Sequence, residues 1–291
     1  MNRNPPTGKV IELMQDHART TGLSPVDPHP RRYLWTDAFA VCNYLGLFQQ
    51  SGDQRCQELA LRLIDQVHHV LGKFRLADSR KGWISGLGEQ EGERHPTSRG
   101  LRIGKELAER RPGEPYDDRL EWDRDGQYYH YLTKWMHALN RVGRINGNPR
   151  YVTWAIELAK TAHARFTYIP ARGGRKAMYW KMSTDLARPL VPSMGLHDPL
   201  DGFVTYSELQ ATAAMDFPEA PGAGLQAEIT DMVGICRGTG SRVTDDPLGI
   251  GGLLFDACRI AQLMVKAGYL YGDILGSVVD CGVGLLCCFA C

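Results

Sequence analysis

Trp122-Asp123-Arg124-Asp125-Gly126-Gln127-Tyr128-Tyr129-His130-Tyr131-Leu132-Thr133-Lys134-Trp135-Met136-His137 is the densest run of mixed aromatic and polar residues in the chain. From Gly126 to Val142 the apolar residues fall on more than one side, and the spacing predicts a helix buried nearly all round. Tyr128, Tyr131 and Trp135 share one face; Gln127, His130 and Lys134 share another. Buried polar groups need partners, which either a ring of helices or a bound ligand can supply. Acids beside a tryptophan and a glycine open this helix.

That opening recurs. Trp35-Thr36-Asp37 precedes an apolar helix over Thr36 to Phe48, and His197-Asp198-Pro199-Leu200-Asp201-Gly202 precedes one over Leu200 to Met215. Asp245-Asp246-Pro247-Leu248-Gly249 opens a fourth, from Pro247 to Val265, with the same Asp-Pro-Leu as the third. Between them lie one-sided, amphipathic helices: Lys9 to Arg19, Gln54 to Phe74, Pro149 to Tyr168 and Leu225 to Cys236. Pro149 suits a helix start, where its missing N–H has no partner to lose. Inner and outer helices therefore alternate, as in a toroid or solenoid of helical hairpins. The expectation is an all-α chain, one toroid-like domain over residues 1–291, with long loops and a short β-ribbon at Ala177 to Met182.

Two connections, Arg75 to Glu121 and Ile169 to Leu196, are too long for plain links, and their Trp83, Tyr116, Tyr179 and Trp180 favour a functional loop or lid. The glycines of Gly82 to His95 follow no strand and match no phosphate-binding pattern, so a nucleotide site is disfavoured. No HExxH-type spacing occurs, so neither a metal nor another cofactor is expected.

With 291 residues, 43% of them hydrophobic and 23% charged, the chain can bury a sizeable core, which excludes wholesale disorder. A net charge of +1 lacks the basic footprint of a nucleic-acid binder. No apolar run stands behind the N-terminus, so a cytoplasmic setting is expected, with Cys42, Cys56, Cys236 and Cys258 as small buried hydrophobes. The Cys-rich apolar segment 269–291 is too glycine-broken for a membrane span and reads as a buried helix; no membrane association is expected, and a homo-oligomer is left open.

Inner helices opened by Trp/Asp clusters and alternating with plainer outer ones resemble the six-hairpin (α/α)6 toroid superfamily, which holds glycoside hydrolases, unsaturated-uronide hydrolases and related sugar epimerases. The resemblance runs from about Lys9 to Ala267. It is architectural, and roughly nine helices are visible where a closed ring has twelve. It implies that the loops entering the inner helices line a central cavity.

On that reading the ligand is a small or anionic saccharide and the reaction a glycosidase-type hydrolysis, which needs one protonated and one ionised carboxyl group. Asp125 and Asp201, each followed by glycine and aromatics, are the expected pair, with Asp37 third. Asp198, Asp245 and Asp246 fit helix caps better. Trp35, Trp83, Trp122, Tyr128, Tyr179 and Trp180 would stack on sugar rings, and Gln127, His130 and His197 would bind hydroxyls. Glu89, Glu91, Arg99 and Arg102 would reach over the cavity from the lid to grip an anionic group. The alternatives are a sugar epimerase or isomerase using His130 and His197, and a non-catalytic carbohydrate-binding scaffold whose aspartates only cap helices. His68, His69 and His163 read as solvated.

Overall fold

The computed structural model describes residues 8–191, 193, 195–219, 224–238, 244 and 246–268. Asp245 and the Cys-rich segment 269–291 lie outside them. The long helices are α1 (Gly8–Thr20), α2 (Leu34–Ser51), α3 (Gln54–Leu71), α6 (Tyr129–Asn146), α7 (Pro149–Phe166), α8 (Asp198–Asp216), α9 (Gln226–Gly238) and α10 (Pro247–Ala267). Two short ones, α4 (Glu89–Arg94) and α5 (Asp118–Asp123), sit in the crossover between α3 and α6.

The ends of these helices are set locally. Gly52 takes φ 76° and closes α2 by donating its N–H to Phe48 O, one residue before Asp53 caps α3 by accepting from Arg55 N. Asn148 and Pro149 start α7 in the same tight fashion after Gly147, φ 62°, has ended α6. Two-residue joints of this kind return the chain antiparallel, so each inner helix meets an outer one.

The inner helices α2, α6, α8 and α10 touch in that order, and α1, α3, α7 and α9 lie outside, with α7 against both α6 and α8. Trp35 meets His130, His130 meets Asp198, and His197 lies against Gly249, so all four inner helices begin at one end. The architecture is an (α/α) toroid, of which the described residues form an arc. Its core lies between the layers, where Tyr44, Tyr129, Trp135, Phe166, Phe203 and Tyr206 are fully buried. At about 1.5–3 kcal/mol for each large apolar side chain, this interlayer burial is what holds the arc together.

Short strands decorate the end where the inner helices begin. β1 (Gln127–Tyr128), β4 (Lys181–Met182) and β5 (Pro189–Val191) form one antiparallel sheet, with Tyr128 opposite Lys181; β2 (Thr167–Tyr168) pairs with β3 (Ala177–Met178). The single strand expected over Ala177 to Met182 is thus split between two sheets, because the chain turns at Tyr179-Trp180. The expected helix start at Gly126 moves to Tyr129, since Gly126 has φ 144° and Gln127 and Tyr128 are extended in β1.

Three expectations about burial change. His68 is buried between Trp135 and Trp154 and accepts a hydrogen bond from Trp135 Nε1 at 3.2 Å; burial, with the nearby charges of His69 and Arg150, lowers its pKa to about 3. His163 is mostly covered and pairs with Asp231 at 2.8 Å. Cys258 is exposed rather than buried, on the open face of α10. Pro247–Lys266 is the one described helix long and apolar enough to cross a membrane; Leu253, Ile260 and Leu263 are buried in the core, while Leu248, Leu254, Phe255 and Val265 are exposed.

Candidate active site

The end at which the inner helices begin carries an aromatic wall. Gln127 and Tyr128 leave β1 straight into α6, and pairing with β4 brings Trp180 beside Tyr128. Trp180 stacks on the His130 ring, with centroids 6.2 Å apart and planes within 17°. Trp122, at the end of α5, packs edge-on against Trp180 and stays half exposed. From α2, Trp35 meets both His130 and Tyr131, and the Tyr33 and Tyr131 hydroxyls share a 2.5 Å hydrogen bond. Trp35, Trp122, His130 and Trp180 are therefore gathered on one surface, and Tyr128, expected to stack on sugar, is instead buried behind them.

Behind that wall the first turn of α8 presents Asp198. Its Oδ1 lies 3.7 Å from His130 Nδ1, and neither His130 Nδ1 nor Asp198 Oδ2 has a hydrogen-bond partner. Burial, reinforced by the nearby negative charge of Asp201, pushes the Asp198 carboxyl up to about 8. Burial also lowers the His130 imidazole to about 4, against the opposing pull of Asp201. At neutral pH the imidazole is thus free to accept a proton while the carboxyl holds one. The His130 side chain keeps about a quarter of its surface exposed, so a ligand on the aromatic wall can reach it.

Asp201 is engaged on all sides. Lys134 Nζ is 2.8 Å from it, Thr133 Oγ1 donates at 2.5 Å, and Arg259 Nη1 lies at 3.3 Å. Burial alone would raise this carboxyl, but Lys134 and Arg259 hold it below the usual range. Arg259 also pairs with Asp256 and Glu208, and Glu208 with His137. A buried chain of charges therefore cross-links α6, α8 and α10. It was visible only as polar residues at helical spacing inside apolar helices, at 130, 134 and 137 and at 201, 205 and 208.

The other expected acids sit elsewhere. Asp125 is buried and accepts from Arg102 Nη1 at 2.5 Å and from the N–H groups of Gly104 and Gly126 at 3.0 Å each. Asp37 accepts from Tyr33 N at 2.9 Å and stands 3.5 Å from Arg32 and 3.6 Å from His17. Both tie backbone to a buried arginine, and neither has the unpartnered oxygen of Asp198. Asp198, read from the sequence as a cap, is the first residue inside α8, and the N-cap position falls to His197.

The remaining candidates divide clearly. Gln127 is fully buried and pins the crossover, accepting from Leu101 N and donating to Arg99 O and Thr184 O. Trp83 is buried beneath Gly92, and Arg102 is held by Asp125 and by the carbonyls of Lys73 and Val70. Glu89 pairs with Lys73 and Glu91 with Arg94, both in exposed positions, while Arg99 donates to Asp185 O. Tyr179 stacks on Tyr168 across the β2–β3 ribbon. His197 is half-buried immediately before α8. Among the described residues no group of three or more His, Cys, Asp or Glu is arranged to hold a metal ion.

Comparison with family models and with curated proteins finds no match. Among solved structures, the chain is similar to that of cellobiose 2-epimerase from Spirochaeta thermophila DSM 6192, at 13% identity and a TM-score of 0.52. The match covers 95% of this chain and 70% of that one. At that identity the likeness establishes the toroid fold and nothing finer.

Proposed function

We propose that this chain is a carbohydrate-active enzyme of the epimerase or isomerase class, working by proton transfer at His130 and Asp198. The observation that carries this reading is geometric: His130 Nδ1 and the Asp198 carboxyl stand 3.7 Å apart at the foot of an aromatic wall, Nδ1 and Oδ2 both buried without hydrogen-bond partners, where burial favours the neutral form of each. Aromatic faces bind the C–H faces of sugar rings. Against an open-chain sugar, Asp198 donates its proton to the carbonyl oxygen as His130 takes the proton from the neighbouring carbon, giving an enediol. Once the planar enediol has turned its other face to His130, that residue returns the proton to the carbon and Asp198 recovers its own from the oxygen, which yields the epimer with both residues in their starting states. That a solved structure of like fold is named as a sugar epimerase agrees with this reading.

Hydrolysis is the second reading, and one observation favours it. Asp198 is kept protonated while Asp201, close by, is kept ionised, the divergence that an acid and its partner carboxylate require. Asp201 is however already bonded to Thr133, Lys134 and Arg259, which leaves it poorly placed to activate water.

The test is incubation of the full chain with cellobiose, glucose and glucuronate in deuterated water. Deuterium should enter at C2 without bond cleavage, and His130→Gln or Asp198→Asn should each slow it by about a hundredfold or more. Release of new reducing ends without exchange would support hydrolysis. No turnover in either assay would leave a binding scaffold as the better description.

A further inference from the structure

A second feature of the same end is a cavity of about 810 Å³ between the start of α2, the end of α3 and the crossover. Arg31, Arg32, Arg75, Arg102 and Lys105 line it, against only Asp37 and Glu106. Arg102 is spent on Asp125 and two carbonyls, and Arg75 on the carbonyls of Lys105 and Glu106. Arg32 is not. Its Nη2 donates to Thr21 O at 2.6 Å, but Nε and Nη1 are buried and make no hydrogen bond, Nη1 standing 3.5 Å from Asp37. Burying guanidinium donors unmet is costly unless something accepts from them.

The cavity adjoins the aromatic wall. Tyr33 lines it, carries the Lys105 ammonium 5.9 Å over its ring, and bonds through its hydroxyl to Tyr131. A ligand lying on the wall can therefore extend a group into the basic pocket. The planar fork of arginine matches carboxylate and phosphate oxygens two at a time.

We propose that this cavity binds the anionic group, carboxylate or phosphate, of an acidic saccharide, with Arg31 and Lys105 at its rim and the buried Arg32 guanidinium, paired with Asp37, beneath its floor. The saccharide part rests on the function proposed above; the anion site does not. Calorimetry on the full chain at low salt, with sodium phosphate, glucuronate, glucose 6-phosphate and glucose as probes, tests it. The three anions should compete for one site, glucose should leave phosphate binding unchanged, and Arg31→Ala with Lys105→Ala should weaken each anion by about tenfold or more. Arg32 is buried, so Arg32→Lys is read only alongside its melting temperature, and the rim pair decides the matter if it fails to fold. Absence of phosphate and glucuronate binding, or binding unchanged in the rim variant, overturns the proposal. His130→Gln should leave phosphate binding intact. In the unmutated chain, absence of exchange with anion binding present counts against the proton-transfer reading alone, and exchange without anion binding counts against this proposal alone.

Discussion

Replacing Asp125 by asparagine should cost about 3–5 kcal/mol of folding stability, the range for breaking a buried ion pair from one side. The structure sets the size. Asp125 Oδ2 receives Arg102 Nη1 at 2.5 Å, and Oδ1 receives two backbone N–H groups at 3.0 Å. Asparagine keeps one acceptor for the two N–H groups but turns a donor, or a neutral oxygen, towards a guanidinium that is buried. Arg102 would then be left without a counter-charge, Arg75 lying no nearer than 3.7 Å on the same carboxylate. Urea unfolding followed by tryptophan fluorescence measures the loss, and deuterium exchange well below the unfolding midpoint measures activity. Exchange should survive in the folded fraction. A loss under about 1 kcal/mol, or a stable variant with no activity, would refute the anchoring role and return Asp125 to the chemistry.

Asp198 offers a test through pH. Its carboxyl sits near 8 in place of 3.8, so between those values the folded chain holds a proton that the unfolded chain releases. Stability therefore falls as pH rises, by at most about 1.4 kcal/mol per unit. His130, lowered to about 4, gives the opposite slope up to its ordinary 6.5, and Asp256, raised by burial to about 7, falls alike in both chains, so from 6.5 to about 8 the difference between wild type and Asp198→Asn reports Asp198. Over that window Asp198→Asn should gain up to about 2 kcal/mol on wild type in parallel urea titrations, and a constant gap would contradict the assignment. Gly100→Ala should destabilise by about 2–4 kcal/mol: the glycine has φ 80°, and an added Cβ would lie 1.9 Å from Gln127 Oε1, breaking the three bonds of that amide. A thermal melt within two degrees of wild type would contradict this. Trp122→Ala should leave the melting temperature nearly unchanged, since the ring is half exposed, while weakening saccharide binding about five- to tenfold by calorimetry.

Periodicity made the toroid legible because its inner helices advertise themselves. Thr36 to Phe48 and Leu200 to Met215 are apolar on more than one face, and a layered helical fold covers such segments. The crossover was less readable: its course is held by ion pairs and carbonyl bonds of Arg75, Arg80 and Arg110, and α4 by Lys73, His69 and Trp154, partners brought together only by the fold. The Trp35, Trp122, His130 and Trp180 surface could be anticipated from aromatics at helix entrances. The roles of the aspartates could not. An Asp followed by Gly and aromatics describes both Asp125 and a substrate-facing acid, and only Arg102, 23 residues away, separates the two. Asp198 stood next to a proline, which marks a helix start, and its place inside the first turn beside His130 depends on how α6 packs against α8.

The protonation states of His130 and Asp198 can be read directly, by NMR titration of the full chain carrying ¹⁵N-histidine and ¹³C-carboxyl aspartate, with His130→Gln and Asp198→Asn for assignment. The expected result is a carboxyl that titrates near 8 beside an imidazole that stays neutral down to about pH 4. An imidazolium persisting through pH 7 against an Asp198 already ionised at pH 5 would make the two an ordinary ion pair, and would remove the proton-transfer site on which the proposed activity stands.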